Sequence, residues 1–304
     1  MKVLFLGGTR FVGKAIVDRL ILRNHDLTLF TRGQRTVPSS VEHIKGDRNH
    51  LPDLALLEGR KFDVIIDSSA RKKEETEKVI SIVGNPRYRL IYISSAGIYN
   101  DSNYWPLDES SQIDFSSRHF GKFETEQYLR DTGIPFTSFR PTYIYGPGNY
   151  NPIEKWFFDR ISFKQPIPIP GNGEIITQLG HVNDLAEAIV RSLDLDICNN
   201  KVYNCSGKKG VTINGLISFS AKACNIPLES LEFINFDPTI LDPKARKLFP
   251  IRISHFLTDI SLIEHDLNWT PEINLEAGLL DSYNNDYLIN NNQKPDFSND
   301  RIFE

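Results

Sequence analysis

The chain has 304 residues, of which 40% are hydrophobic and 24% charged, with 19 Gly and 17 Pro. This balance excludes a collagen-like, coiled-coil or largely disordered chain, and the length supports a buried core without disulfides or metals. Lys and Arg number 35 against 39 Asp and Glu, a net charge of −4, so binding to a polyanion requires a local cationic patch. Val3 to Leu6 reads as a buried strand that runs straight into Gly7-Gly8. This run is too short for a signal-peptide core, and no apolar run reaches the roughly 18 residues of a membrane helix. Phe11 to Leu22 is helical, with Val12, Ala15, Ile16 and Leu20 on one face. Strand-like runs follow at Leu27–Phe30, Val41–Ile44, Val64–Ile66, Leu90–Ile93 and Phe136–Phe139, with a helix carrying Lys122 and Glu126 before the last.

Apolar strands of this kind, separated by helices, predict a parallel sheet covered on both faces, an α/β doubly wound arrangement of Rossmann type. Beyond Pro141 the pattern loosens, and Pro and Gly cluster at Gly146-Pro147-Gly148, Gln165-Pro166 and Pro168 to Gly173. The expected organisation is a dinucleotide-binding domain over 1–150, a smaller α/β lobe over 151–289 and a frayed polar tail over 290–304. The cysteines are Cys198, Cys205 and Cys224, odd in number and without CxxC spacing, which points to a reducing compartment and no metal centre.

The strongest local signal is Gly7-Gly8-Thr9-Arg10-Phe11-Val12-Gly13, closing the first strand and opening a helix. Glycines there allow a tight turn and close backbone approach to a pyrophosphate, and the helix N-terminus adds N–H donors and partial positive charge. A site for NAD places an acid at the end of the second strand, but here that strand ends Phe30-Thr31-Arg32-Gly33. Arg32 can pair with a 2′-phosphate, so NADP is expected over NAD. The alternative is an exposed loop arginine.

Several segments together resemble the extended short-chain dehydrogenases/reductases, the superfamily of nucleotide-sugar epimerases and dehydratases. They are Gly7 to Gly13, Asp47, Ser94-Ser95-Ala96-Gly97-Ile98-Tyr99, Arg140-Pro141 through Gly148, His181 to Ala186 and Leu267 to Pro271. The resemblance implies a Ser, Tyr and Lys acting together in hydride transfer, with Asp47 and Lys122 at the cofactor. Ser95 matches the Ser and Lys122 the Lys, but Arg118 stands where the Tyr belongs. Arginine does not cycle a proton near neutral pH. It also places two cations four residues apart, expected on one helical face. The central glycine of the turn is Arg10, and Thr177-Gln178-Leu179-Gly180 lacks the arginine that holds a substrate diphosphate in that superfamily.

These departures occur together with Gly46-Asp47-Arg48, Arg118 to Lys122 and Phe249-Pro250 through His255-Phe256. In combination they resemble the chloroplast stem-loop RNA-binding proteins and their cyanobacterial relatives. That resemblance implies RNA binding, RNA cleavage or transcript stabilisation, and a cytoplasmic or stromal setting. A homo-oligomer with no membrane attachment is expected. The rivals are an NAD(P)-dependent epimerase, dehydratase or reductase with a rearranged site, and a non-catalytic NADP sensor. For RNA, Lys244, Arg246, Lys247 and Arg252 are interleaved with Phe249 and His255, so cations could meet phosphates while aromatics stack on bases. A solvated loop explains the same charges. Arg71-Lys72-Lys73 reads as an exposed helix start, His181 and Asp184 as helix-entry residues, and Tyr99, Tyr143 and Tyr145 as cleft or core. His119 is the nearby group able to shuttle a proton near neutral pH, and the alternative, the commoner one, is a surface helix position.

Overall fold

Alternating apolar runs and amphipathic segments fold into β1 (Lys2–Leu6), α1 (Phe11–Leu22), β2 (Asp26–Thr31), β3 (Glu42–Lys45) and a short α2 (Leu51–Leu54). The chain continues through β4 (Val64–Asp67), α3 (Lys73–Val83), β5 (Arg89–Ile93), α4 (Phe120–Asp131) and β6 (Phe136–Pro141). The structure is a computed structural model and describes residues 1–151, 153–239, 241, 245–290 and 294–303.

Past β6 the elements shorten to β7 (Tyr143–Tyr145), α5 (Glu154–Ser162), β8 (Ile167–Pro170), β9 (Ile176–Thr177) and β10 (Leu179–His181). Next come α6 (Val182–Arg191) and β11 (Lys201–Cys205), then β12 (Val211–Thr212), α7 (Ile213–Ala223) and β13 (Phe233–Phe236). Helices α8 (Ser261–Leu267) and α9 (Leu275–Ser282) follow.

One seven-stranded sheet holds the large layer, in the order β11-β6-β5-β4-β1-β2-β3, with every pairing parallel. Both faces are covered, which is why the central strands read as continuous apolar runs. On one face α1 and α6 pack Ile16, Leu20, Leu185 and Ile189 onto Val3, Phe5 and Ile66. On the other, α3 and α4 bring Val79, Ile80 and Leu129 against Leu4, Leu6 and Tyr92. Residues 182–205 lie past the sequence position where a second lobe was expected, yet α6 and β11 add to this large layer.

The smaller lobe is built from α5, α7, α9 and the parallel pair β8–β13, around a core of Trp156, Phe157, Phe158, Phe236 and Phe249. The C-terminal stretch read from the sequence as a frayed tail ends in a turn over Asp300–Phe303. There Phe303 is buried against Phe236, and Asp300 pairs with Arg160 at 2.6 Å. The three cysteines are free and buried. Among the described residues no helix is long and apolar enough to cross a membrane. Strand order reverses between β1 and β4, so the crevice beyond the carboxyl ends of β1, β2, β4 and β5 is where such a sheet places a ligand.

Candidate functional site

Close packing shapes the glycine turn. Gly7 and Gly8 have φ of +118° and +97°, and a Cβ on Gly7 would come within 2.5 Å of Ser68 Oγ. A Cβ on Gly13 would meet Gly8 Cα at 2.8 Å, so α1 can approach the strand this closely only with glycine there. No side chain caps α1, which leaves its first-turn N–H groups facing the crevice. Thr9 and Val12 are half-buried beside the turn. Arg10 is exposed and stays out of the turn, and its guanidinium lies over the Tyr150 ring. The cradle therefore fits a pyrophosphate.

At the end of β2, Thr31 Oγ1 is 2.8 Å from His43 Nε2, and Arg32 projects into solvent beside it. After β3, Asp47 is half-buried, and its Oδ1 accepts from Asn49 N at 2.8 Å. Its neighbour Arg48 turns inward. It donates to both carboxylate oxygens of Asp67 at 2.6 and 2.8 Å, and also to Ser69 Oγ and the Glu75 carbonyl. Burial alone would raise the Asp67 pKa, but the Arg48 charge and hydrogen bonds outweigh it and hold the carboxyl below its ordinary value. This pair ties the exit of β3 to the end of β4, directly below the crevice.

Ser95 follows β5, and its Oγ accepts from Gly97 N at 3.0 Å. Lys122, on the first turns of α4, donates to the Ile93 carbonyl at 2.5 Å. Burial lowers its pKa to about 8, with Asp67 acting in the opposite sense and Arg71 adding to the depression. Helix α4 begins at Phe120, so Arg118 belongs to the entry turn rather than to the helical face of Lys122. Arg118 Nε donates to His119 Nε2 at 3.1 Å, and the imidazole lies against Gly97.

His119 is pushed down to about 4, first by burial, then by Arg118, Lys122, Arg252 and Arg71. This shift favours the neutral imidazole at pH 7. The loop carrying Arg71 reaches this point because Gly121 has no side chain: a Cβ there would collide with the Arg71 carbonyl.

The 245–256 segment closes the other side. Arg252 rests on the Phe256 ring at 4.4 Å, and its guanidinium donates to the Gly97 and Tyr99 carbonyls at 3.2 and 3.4 Å. Its backbone N–H donates to Tyr143 Oη at 2.8 Å. Burial raises the Tyr143 pKa, while the hydrogen bond from Arg252 N and the charges of Arg252, Arg118 and Arg246 act the other way. Arg246 and Lys247 are exposed on a short turn, and Lys244 lies outside the described residues.

Phe249, expected to stack on bases, is instead 3% exposed in the aromatic core of the smaller lobe. His255 accepts from Ile176 N at 3.0 Å. Gln178 is buried and braces Thr258 and Gly207. Tyr99 and Tyr145 are fully buried, and Tyr99 Oη joins Arg140 and Asn204 in an internal network. His181 Nδ1 caps α6 at Asn183 N, and among the described residues no group of three metal-ligating side chains exists.

Sequence reasoning missed Tyr104 and Phe115, 85% and 73% exposed on the loop between β5 and α4. On the same loop Trp105 meets His255 edge-on at 4.9 Å. Sequence reasoning read Arg71 as an exposed helix start and Arg118 as a lost phenol, and did not bring the two together beside His119. The signal was present in the aromatic-rich stretch leading to Arg118, but only the fold brings it next to Arg71 and Arg252.

Comparison with known proteins agrees with this architecture. The model of the "NAD dependent epimerase/dehydratase family" matches residues 3–206. The chain is 40% identical to the "Chloroplast stem-loop binding protein of 41 kDa b" of Arabidopsis thaliana, over 94% of this chain and 79% of that one. It is 24% identical to a putative UDP-glucose 4-epimerase of Methanocaldococcus jannaschii, over 96% and 99%. Among solved structures, the UDP-glucose 4-epimerase of Thermotoga maritima superposes with a TM-score of 0.77 at 18% identity, covering 93% of this chain and 97% of that one. That of Stenotrophomonas maltophila, with NAD bound, gives 0.79 at 16%, covering 96% and 100%. At those identities the likeness is one of fold. The glycine cradle, the seven parallel strands and the family match over two-thirds of the chain lead to one assignment: the chain belongs to the NAD dependent epimerase/dehydratase family.

Proposed function

We propose that this chain is an RNA-associated member of its family, which uses the crevice to hold phosphates rather than to oxidise a sugar. The observation that carries the reading is the cation cluster at His119: Arg118 donates to its imidazole at 3.1 Å, Arg252 donates to the Gly97 carbonyl against which the imidazole lies, and Lys122 and Arg71 add to the lowering of its pKa, with Arg118 in place of the proton-cycling phenol. Such a cluster gives a locally positive crevice on a chain whose net charge is −4. The 40% identical relative is named for stem-loop binding, which supports RNA as the polyanion. Exposed Tyr104 and Phe115 on the adjoining loop offer ring faces to unpaired bases.

Holding is favoured over cutting. With a pKa of about 4, His119 is a poor base, and at about 8 Lys122 stays mostly protonated at neutral pH. A nicotinamide dinucleotide, when bound, supplies a hydride donor or acceptor. Gly7 to Gly13 would hold its pyrophosphate, and Arg32 would select the 2′-phosphate. Tyr92 has its ring centroid 5.2 Å from Lys122 Nζ, but it is buried with its Oη donating to the Ala70 carbonyl, and burial raises its pKa, so it is not placed to carry a proton to a sugar.

A side-by-side screen tests this reading. One sample is offered a stem-loop RNA, NADP, NAD and UDP-glucose. The expected result is RNA binding and no measurable cofactor turnover with the sugar. NADP should bind more than about tenfold tighter than NAD, with the preference lost in Arg32→Ala, since a charge-assisted pair contributes roughly 1.5–3 kcal/mol. Robust turnover abolished by Lys122→Ala would establish the epimerase or reductase reading instead. NADP binding with no RNA binding would favour a dinucleotide sensor, which exposed Arg32, with no carboxylate partner among the described residues, makes the second reading.

A further inference from the structure

A guanidinium donates hydrogen bonds and cannot accept them, so the contact between Arg118 and His119 fixes more than a distance. Arg118 Nε donates to His119 Nε2 at 3.1 Å, and that nitrogen must therefore carry a lone pair. A proton on Nε2 would set one N–H against another. The hydrogen bond made at one ring nitrogen decides which nitrogen is protonated, so the imidazole proton belongs on Nδ1. The ring is also held in place. Its Cδ2–Nε2 edge lies against Gly97, where a Cβ would come within 2.7 Å of Cδ2 and 3.1 Å of Nε2. His119 N donates to Ser117 Oγ at 3.1 Å, and Ser117 Oγ donates to the Gly97 carbonyl at 2.7 Å. The same carbonyl accepts from Arg252 at 3.2 Å. These contacts join the ring, Gly97 and the 245–256 segment into one block. Nδ1 lies on the opposite edge of the ring. Among the described residues nothing accepts its proton, and the atom is not sealed from solvent. The lowered His119 pKa agrees with a ring that stays neutral.

We propose that Arg118 locks His119 as its Nδ1–H tautomer, and that this N–H is a fixed neutral donor to a phosphoryl oxygen of the RNA backbone. The choice of ligand rests on the RNA reading of the crevice; the tautomer does not. Arg71, Arg118, Lys122 and Arg252 supply charge, which attracts any phosphate and is screened by salt. A neutral donor supplies direction instead. It favours an oxygen at one distance and angle, and it displaces no counterion when it binds. Arg118 then has two roles, as a charge toward the ligand and as the hydrogen bond that aims its neighbour.

Two measurements on the full chain test the proposal. Heteronuclear NMR of the histidine rings, with His119 assigned by its loss in His119→Asn, should show Nδ1 protonated and Nε2 bare at pH 7. In Arg118→Ala that preference should relax toward a mixture of the two tautomers. Filter binding of a stem-loop RNA across salt then compares wild type with His119→Gln and His119→Asn. Along the side chain the Asn amide nitrogen stands at the place of Nδ1, and the Gln amide nitrogen at the place of Nε2. His119→Gln should bind roughly three- to tenfold more weakly, the scale of a neutral hydrogen bond, with an unchanged salt slope. His119→Asn should recover most of that loss. Arg118→Ala, by contrast, should reduce the slope in magnitude by about 0.7. A melting temperature for each variant separates loss of binding from loss of fold. A wild-type ring protonated at Nε2, or His119→Gln binding as tightly as wild type, overturns the proposal. So does a reduced slope in His119→Gln, the mark of a charged ring. Wild type that binds no RNA overturns the RNA reading and takes the phosphoryl ligand with it, whereas RNA binding indifferent to His119→Gln removes the donor alone.

Discussion

Arg118 is the residue on which the chemistry turns. A phenol four residues before Lys122 could give and take a proton; a guanidinium there remains a fixed charge. Its immediate effect is on His119, whose Nε2 accepts from Arg118 at 3.1 Å. Burial is the larger cause of the depressed His119 pKa and Arg118 the next. In Arg118→Ala the His119 pKa should therefore rise from about 4 toward, without reaching, the ordinary imidazole value of 6.5, as followed by NMR titration of the ring protons. An unmoved titration would mean that the cation cluster does not set the potential of the crevice. The Arg118 substitution was legible in the sequence, because Lys122 and Ser95 fix the frame. The fate of Phe249 was not. A phenylalanine among lysines and arginines looks the same whether it faces a base or a core, and only its packing on Trp156 and Phe236 decides.

At the level of elements, the strands and the glycine turn could be read directly, since continuous apolar runs and a glycine-rich βα turn are local patterns. Pairings between distant residues could not. Arg48 and Asp67 lie 19 positions apart, and nothing in either neighbourhood marks them as partners. Glu154 is a second such case. It enters α5 as an ordinary first-turn acid, but the fold buries it under the Gly146–Asn149 loop and its pKa rises from 4.5 to about 7. Burial is the main cause, and the hydrogen bonds from Gly146 and Asn149 oppose it only in part.

The sign follows from linkage. A carboxyl with a raised folded-state pKa favours folding fully below the unfolded value of 4.5, and that contribution is lost as pH rises toward about 7. The loss is on the order of 3 kcal/mol. Glu154→Gln retains the acceptor oxygen toward Gly146 without the ionisation. Denaturant titrations at several pH values should show a flatter stability profile between pH 4.5 and about 7 in this variant than in wild type. Parallel profiles would show that Glu154 ionises without cost, and hence that the loop presenting Tyr150 is looser than described.

Across the whole molecule, charge distribution matters more than net charge. The chain carries four more acids than bases, yet Arg71, Arg118, Lys122, Arg246 and Arg252 gather where the carboxyl ends of the strands meet the 245–256 segment. The fully buried acids Asp67 and Glu126 are paired with Arg48 and Arg140, and exposed Asp101 lies 3.8 Å from Arg252. Composition alone hides that asymmetry, because the cations come from three separate stretches of sequence. Salt dependence of RNA binding tests the central claim most directly. Filter binding of a stem-loop RNA should give a log–log slope of about −2 to −3, or roughly −0.7 for each of three to four phosphate contacts. The Arg71→Ala/Arg118→Ala double variant should bind more weakly, with a slope reduced in magnitude by about 1.4. A wild-type slope near zero, or a double variant matching wild type in both affinity and slope, would contradict the account.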